Sequence, residues 1–265
     1  MKSDKLFALK LAEKAGNIMR SNFRYGMKKK NKVEDFSPVT EADLEINQLV
    51  IDEVKKQYPG YGVLAEEKNF LVKNSKFVWV CDPIDGTIPF SHGLPISTFS
   101  LALVKDGQPV VGVIYDPFHN NYFFAAKGKG AQMNGKKIKV SRAKRLEGEL
   151  VLTEHWKQAA YDTIKTIDAL EDLNCHTSLL KSIAIGGALV AAGEAIGVIC
   201  PGKTPWDMAA AKIIIEEAGG KVTDITGQEQ RYDRNINGCF GSNAAVHQKL
   251  LKIINKTVIK NKSYA

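Results

Sequence analysis

The 265-residue chain contains no C-x-x-C pair, and its four cysteines, Cys81, Cys175, Cys200 and Cys239, stand far apart. With no C-x-x-C spacing and no secretory leader to place them in an oxidising compartment, these four are expected to be free thiols. Also missing is any uninterrupted apolar run long enough to cross a bilayer. Near the start, Lys10, Glu13 and Lys14 interrupt the apolar residues, which leaves no hydrophobic stretch of a secretory leader. The expectation is a cytoplasmic protein with no membrane partner. No internal repeat, low-complexity tract or linker-like segment appears, which excludes a solenoid or a tethered array.

What is present is a composition of 44% hydrophobic and 25% charged residues, enough to bury a sizeable core in one domain or two coupled lobes. The net charge of +8 suits nucleic acid, anionic lipid or small phosphorylated ligands equally. Its densest stretches are Lys28-Lys29-Lys30 with Lys32, and the tail from Lys249 to Lys262. In the tail the lysines alternate with Leu250, Leu251, Ile253 and Ile254, the spacing of an amphipathic helix with a solvated face. Lysines and aromatics do not cluster together on a strand-like run, so no nucleic-acid partner is expected.

Ala8, Leu11, Ala15 and Ile18 recur at helical spacing and predict a first helix. A second begins near Thr40 with Ile46, Leu49, Val50 and Val54 on one face. Strand-like runs follow at 61–65, 77–81, 97–104, 110–115 and 121–126, with a hairpin turn at "KDGQ", 105–108. After about residue 146 the rhythm changes: a strand "ELVLTE", a helix over 156–172, a long helix over 205–218, a strand "GKVTDI", and "CFGSN" leading to a last helix. This predicts an α+β lobe over 1–145 and an α/β lobe over 146–265, packed as one functional unit.

The chemistry concentrates in "CDPIDGTIPF", 81–90. "FVWVC" reads as a buried strand, so Asp82 stands at a strand's C-terminal end, where ligand sites gather. Pro83 turns the chain and can bring Asp82 and Asp85 to one side. Paired carboxylates repel unless a cation joins them, and Mg²⁺ takes oxygen ligands of this kind, with the Ile84 carbonyl as another donor. Gly86 permits close backbone approach, and the Gly86 and Thr87 amides suit a phosphate if they open a helix. D-P-x-D-G is equally a good turn sequence. Glu66-Glu67 after "GVLA" is a like-charged pair that wants a cation. Asp207 in "KTPWDMAAA" fits a helix-dipole or capping carboxylate, and Asp43 follows Thr40 at capping-box spacing.

Taken together, "AEE" (65–67), "DPIDGT" (82–87) and "PWDMAAA" (205–211), followed by "EEAGGKVTDITG" (216–227), resemble the inositol monophosphatase family of Mg²⁺-dependent, Li⁺-sensitive phosphomonoesterases. The likeness runs from about Thr40 to Asn243. It implies a layered αβαβα sandwich, shared with fructose-bisphosphatases, and a homodimer. It further implies that Glu66, Asp82 and the Ile84 carbonyl hold one Mg²⁺, that Asp82, Asp85 and Asp207 hold a second, and that Glu66 helps hold a weaker third. Asp43 and Thr87 would orient and deprotonate the attacking water, with Glu66 in support. Gly86, Thr87, Asp207 and the position of Cys200 would border the substrate. His92, His119, His155 and His176 are left as structural or surface residues.

Three departures concern the substrate. Where the family carries a glutamate for a sugar hydroxyl, the gapless match has Cys200; Ala184 and Ile185 stand where Gly and Thr or Ser are common; and Ile88-Pro89 replaces Thr-Asn. Hydrolysis of an inositol-phosphate-type monoester is the family default, with histidinol phosphate, a sugar phosphate or a nucleotide phosphate such as adenosine bisphosphate or NADP as rivals. Outside enzymes, the alternatives are a silent ligand-binding relative, which should have lost metal ligands, and a basic nucleic-acid binder.

Overall fold

A computed structural model describes residues 2–24, 29–32 and 38–261; Lys28 of the basic run and Lys262 of the tail lie outside them. The chain opens with α1 (Lys2–Asn22), which buries Ala8, Leu11, Ala12, Ala15 and Met19 on one stripe. A short ribbon, β1 (Lys30–Asn31) against β2 (Pro38–Val39), leads into α2 (Glu41–Gln57), whose buried face is Ile46, Val50, Ile51 and Val54.

A seven-stranded sheet follows in sequence order: β3 (Gly62–Ala65), β4 (Phe77–Asp85), β5 (Thr98–Lys105), β6 (Gln108–Asp116), β7 (Asn121–Ala126), β8 (Ala131–Met133) and β9 (Lys136–Lys137). Between β4 and β5 lies the short helix α3 (Thr87–Ser91). Asp106 and Gly107 both take positive φ at the β5–β6 turn, the backbone that a two-residue hairpin with the strands' own twist requires.

The second half adds β10 (Leu150–Thr153), β11 (Tyr161–Asp162), α4 (Ile164–Glu171), β12 (His176–Ser178), α5 (Ile183–Ala192), β13 (Gly197–Cys200), α6 (Ala209–Glu217), β14 (Gly220–Thr223), β15 (Cys239–Asn243), α7 (His247–Thr257) and β16 (Ile259–Lys260). Five of these strands form a mixed sheet in the order β12-β10-β13-β15-β14, while β11 and β16 pair separately.

Side-chain alternation explains the layering. Along the first sheet, Trp79, Cys81, Leu101, Leu103 and Val113 turn outward onto α1 and α2, and Val80, Ala102, Val104, Ile114 and Phe123 turn inward. The inward face packs on α5 and α6, whose other side meets the five-stranded sheet. A third cluster joins that sheet's far face to α4 and α7 through Val151, Ile199, Leu170, Leu250 and Ile254. The result is the expected αβαβα sandwich. Its centre is tight: a Cβ on Gly112 of β6 would come within 2.5 Å of Ile213, and one on Gly187 of α5 within 2.4 Å of Ala211. The small residues of α5 and α6 are what let two sheets share one helical layer.

Several boundaries differ from the sequence expectation. The helix over 156–172 is confined to α4, because Trp156 and Tyr161 are drawn into other contacts and Tyr161 joins β11. The long helix over 205–218 is a 3-10 turn, Pro205–Asp207, followed by α6. The tail helix ends at Thr257 and gives way to β16. All four cysteines are free and buried. No helix among the described residues is long and apolar enough to span a membrane.

Candidate active site

The strand run ends not at Cys81 but at Asp85, and the extension carries the functional feature. Asp82 pairs with Ser100 and Asp85 with Thr98, so β4 takes three steps where β5 takes two. In a regular strand, residues three apart point to opposite faces. One extra residue resets that parity, and Asp82 and Asp85 come to line the same cleft. Pro83 has no N–H to lose and is tolerated in such a bulge.

Gly86 follows in the left-handed region, φ +88, as the N-cap of α3. A Cβ there would lie 3.0 Å from the carbonyls of Ile96 and Lys181 and from Ser182 Cβ. Gly86→Ala is therefore expected to cost at least the roughly 1–2 kcal/mol of a left-handed L-residue, and to misplace Thr87. A lowered melting temperature together with lost activity is the expected readout; a variant as stable and active as the parent would contradict it.

The cleft, about 180 Å³, is lined by residues from both halves. Glu66, Asp82, Ile84, Asp85, Gly86, Thr87 and Ile88 come from the first sheet and its connections; Glu154, Trp156, Lys181, Ile183 and Asp207 come from the second half. Asp85 ties the two together. Its carboxylate accepts hydrogen bonds from the Ser182 hydroxyl, from Thr98 Oγ1 at 3.2 Å, and from the backbone N–H groups of Ile183 and Ala184 at 3.0 and 2.9 Å. Asp207 accepts from Thr204 Oγ1 at 2.6 Å. Asp43 lines up behind Thr87: its Oδ2 accepts from the backbone and hydroxyl of Thr40, and its Oδ1 lies 3.3 Å from Thr87 Oγ1. The capping-box reading and the functional reading of Asp43 are thus compatible, one oxygen for each. The Thr87 hydroxyl also lies 3.0 Å from the Ile84 carbonyl.

This concentration of carboxylate is electrostatically costly. Burial, then repulsion from Glu66, Asp85, Asp207 and Asp43, holds Asp82 well above the ordinary carboxylate range. Burial likewise raises Asp207, pushes Asp43 up to about 7 and Asp85 up to about 6, although hydrogen bonds to the last two pull the other way. Asp82 Oδ1 is buried with no hydrogen-bond partner among the described residues. A buried carboxylate oxygen without a hydrogen-bond partner, set among like charges, fits a cation ligand, and an all-oxygen donor set suits a hard cation. Among the described residues the side chains do not close into a cage of three or more acidic, His or Cys ligands, and mutual repulsion opposes such closure.

One cation is supplied by the chain. Lys32 of the β1–β2 ribbon places its ammonium 2.8 Å from Glu66 and 2.7 Å from Glu67, and the pair raises the lysine's pKa against the opposing effect of burial. The basic run had offered no reason to single out Lys32. Glu154, Trp156 and Lys181 were also missed, since each stands outside the recognised motifs. The one hint was the acid closing "ELVLTE" at a strand end.

Cys200 is fully buried at the end of β13 with its thiol 3.9 Å from Asp207 Oδ2, behind the residues that line the cleft. Ala184 is buried too and meets the site only through its N–H. Of the histidines, His92, His119 and His176 are exposed, and His155 is partly buried beside the cleft.

The family model described as "Inositol monophosphatase family" matches residues 2–258. Among curated relatives, a fructose-1,6-bisphosphatase/inositol-1-monophosphatase of Thermotoga maritima is 35% identical over 255 residues, covering 95% of this chain and 96% of the relative. The Nus factor SuhB of Escherichia coli is 36% identical over 230 residues, covering 83% and 84%. Among solved structures, an IMPase of Thermotoga maritima aligns with TM-score 0.85 at 34% identity over 96% of this chain and 97% of that one. An IMPase/NADP phosphatase complexed with Mg²⁺ and phosphate aligns with TM-score 0.83 at 27% identity over 96% and 95%.

Proposed function

We propose, from the premise that this chain belongs to the inositol monophosphatase family, that it hydrolyses a small phosphomonoester with Mg²⁺ at the Glu66–Asp82–Asp85–Asp207 cleft. The observation that carries the reading is the parity-resetting bulge, which gathers Asp82 and Asp85 on one side against their own repulsion. No acid of the expected ligand set is lost, which argues against a silent relative.

Glu66, Asp82 and the Ile84 carbonyl would hold one ion, Asp82, Asp85 and Asp207 a second, and Glu66 would contribute to a third. Bound there, Mg²⁺ would hold the phosphate dianion, acidify water and neutralise the departing alkoxide. The chain's own residues supply the rest. Thr87 Oγ1, in reach of Asp43 Oδ1, is placed to accept a proton from the attacking water while passing its own to the carboxylate. Asp43, pushed up to about 7, is basic enough to take it near neutrality. Gly86 and Thr87 would present backbone N–H groups to the phosphate oxygens. The water oxygen bonds to phosphorus, the P–O ester bond breaks, the departing alkoxide takes a proton from solvent, and inorganic phosphate and alcohol leave while Asp43 returns its proton to solvent.

The test is phosphate release from a panel of monoesters: inositol 1-phosphate, histidinol phosphate, fructose 1,6-bisphosphate, adenosine 3′,5′-bisphosphate, NADP and glycerol 2-phosphate. Turnover of at least one with Mg²⁺, abolished by EDTA and restored by added Mg²⁺, is expected. Equal release with and without the chelator would overturn the metal mechanism.

A further inference from the structure

The mouth of the cleft carries a side chain that the phosphate chemistry does not use. Trp156 lines it as a partly exposed residue, and its six-membered ring lies over Gly202, where a Cβ would come within 3.1 Å of the indole and 3.3 Å of Asp207 Oδ2. Gly202 thus leaves room for a large flat ring beside one of the carboxylates.

The loop that carries the ring is held from several sides. Glu154, just before it, accepts the Lys181 backbone N–H at 2.6 Å and gives its own carbonyl to Thr163 Oγ1 at 2.8 Å. The Lys181 ammonium donates to the carbonyl of His155, the residue next to Trp156, and pairs with Glu154 Oε2 at 3.4 Å. The Trp156 carbonyl accepts from the Ala159 N–H at 3.0 Å. Lys181 adopts φ +58, a conformation a lysine takes only when its surroundings impose it. Five polar contacts and one unusual backbone conformation therefore fix the loop that carries a hydrophobic plane. The indole also packs against the central core, which leaves it partly exposed at the mouth.

The neighbouring wall matches. Ile183 and the half-exposed Ile88 face the same space, and the thiol of Cys200, where an acceptor for a ring hydroxyl was expected, is sealed away. A flat aromatic face would meet an indole and two aliphatic side chains on this side of the cleft, opposite the carboxylates that would face the phosphate.

We infer that Trp156 is a specificity-determining residue, a pre-set stacking surface that selects phosphomonoesters whose alcohol carries a planar aromatic ring. The inference rests on the phosphatase reading and deepens it; the bond broken is unchanged. The test compares benzyl phosphate with cyclohexylmethyl phosphate, whose alcohols have similar acidity and size and differ in the flat π-face. The wild-type protein is expected to favour benzyl phosphate in kcat/KM by about three- to tenfold, the range of a ring–ring contact beyond simple burial. Trp156→Ala is expected to bring the ratio to about one, with the loss falling on KM rather than kcat, and Trp156→Phe to keep most of the preference. A wild-type ratio near one, or a preference that survives in Trp156→Ala, overturns the inference. Glycerol 2-phosphate, which has no ring, reports the phosphatase reading separately. If none of the three esters is hydrolysed, the monoester panel above decides the phosphatase reading, and calorimetric affinities for benzylphosphonate and cyclohexylmethylphosphonate decide the role of Trp156 by the same ratio.

Discussion

Asp82→Asn is expected to lower turnover by roughly a thousandfold or more, the several kcal/mol that a metal's charge contributes to a phosphoryl transition state. Asp82 is the carboxylate proposed to be shared between the two main ions, so its loss weakens both. The variant should nevertheless fold. Asparagine is close in shape, and it removes one negative charge from a position where burial and four neighbouring acids already disfavour it. Without Mg²⁺ the melting temperature of Asp82→Asn is therefore expected to equal or exceed that of the parent, while the rise in melting temperature on adding Mg²⁺ shrinks. A variant that retains activity within about tenfold of the parent would rule out the shared-ligand assignment. One that unfolds without metal would make Asp82 a structural residue.

Thr87→Ala is expected to cut kcat by roughly two to four orders of magnitude, the range for losing a positioned proton acceptor, while leaving the Mg²⁺-dependent rise in melting temperature nearly intact. A structural alternative is already weak, because Gly86 and not Thr87 occupies the N-cap of α3, and the Thr87 side chain makes no capping bond there. Its hydroxyl meets Ile84 O and Asp43 Oδ1 instead. Thr87→Ser keeps the oxygen and should recover most of the rate. If Thr87→Ala loses metal response and rate in equal measure, the hydroxyl acts by holding the Ile84 carbonyl in place.

How far such a site can be read in advance depends on what each residue answers to. Asp82, Asp85, Asp207, Glu66 and Asp43 stood out as acids at turns and element ends, each with an ordinary turn or capping account beside it, and only the family resemblance joined them into one set. The change of rhythm near residue 146 predicted an α+β half and an α/β half, while the layered sandwich followed from the family resemblance. Trp156 was not legible, since local apolar spacing placed it at the start of a helix, whereas Lys181, distant in sequence, fixes its loop. Lys32 was hidden among equivalent lysines until the ribbon brought it to Glu66.

The bonds that Asp85 accepts from Ser182, Ile183 and Ala184 also order events during synthesis. A nascent chain that has emerged only through α4 carries "AEE" and "DPIDGT" complete, yet it lacks three of the four donors that satisfy Asp85, and the carboxylate of Asp207. Every recognisable motif of the first sheet can be present on the ribosome while the pocket is still unfinished. Catalysis in this architecture becomes available only when the second sheet arrives, so a prematurely terminated product would be inert rather than partially active.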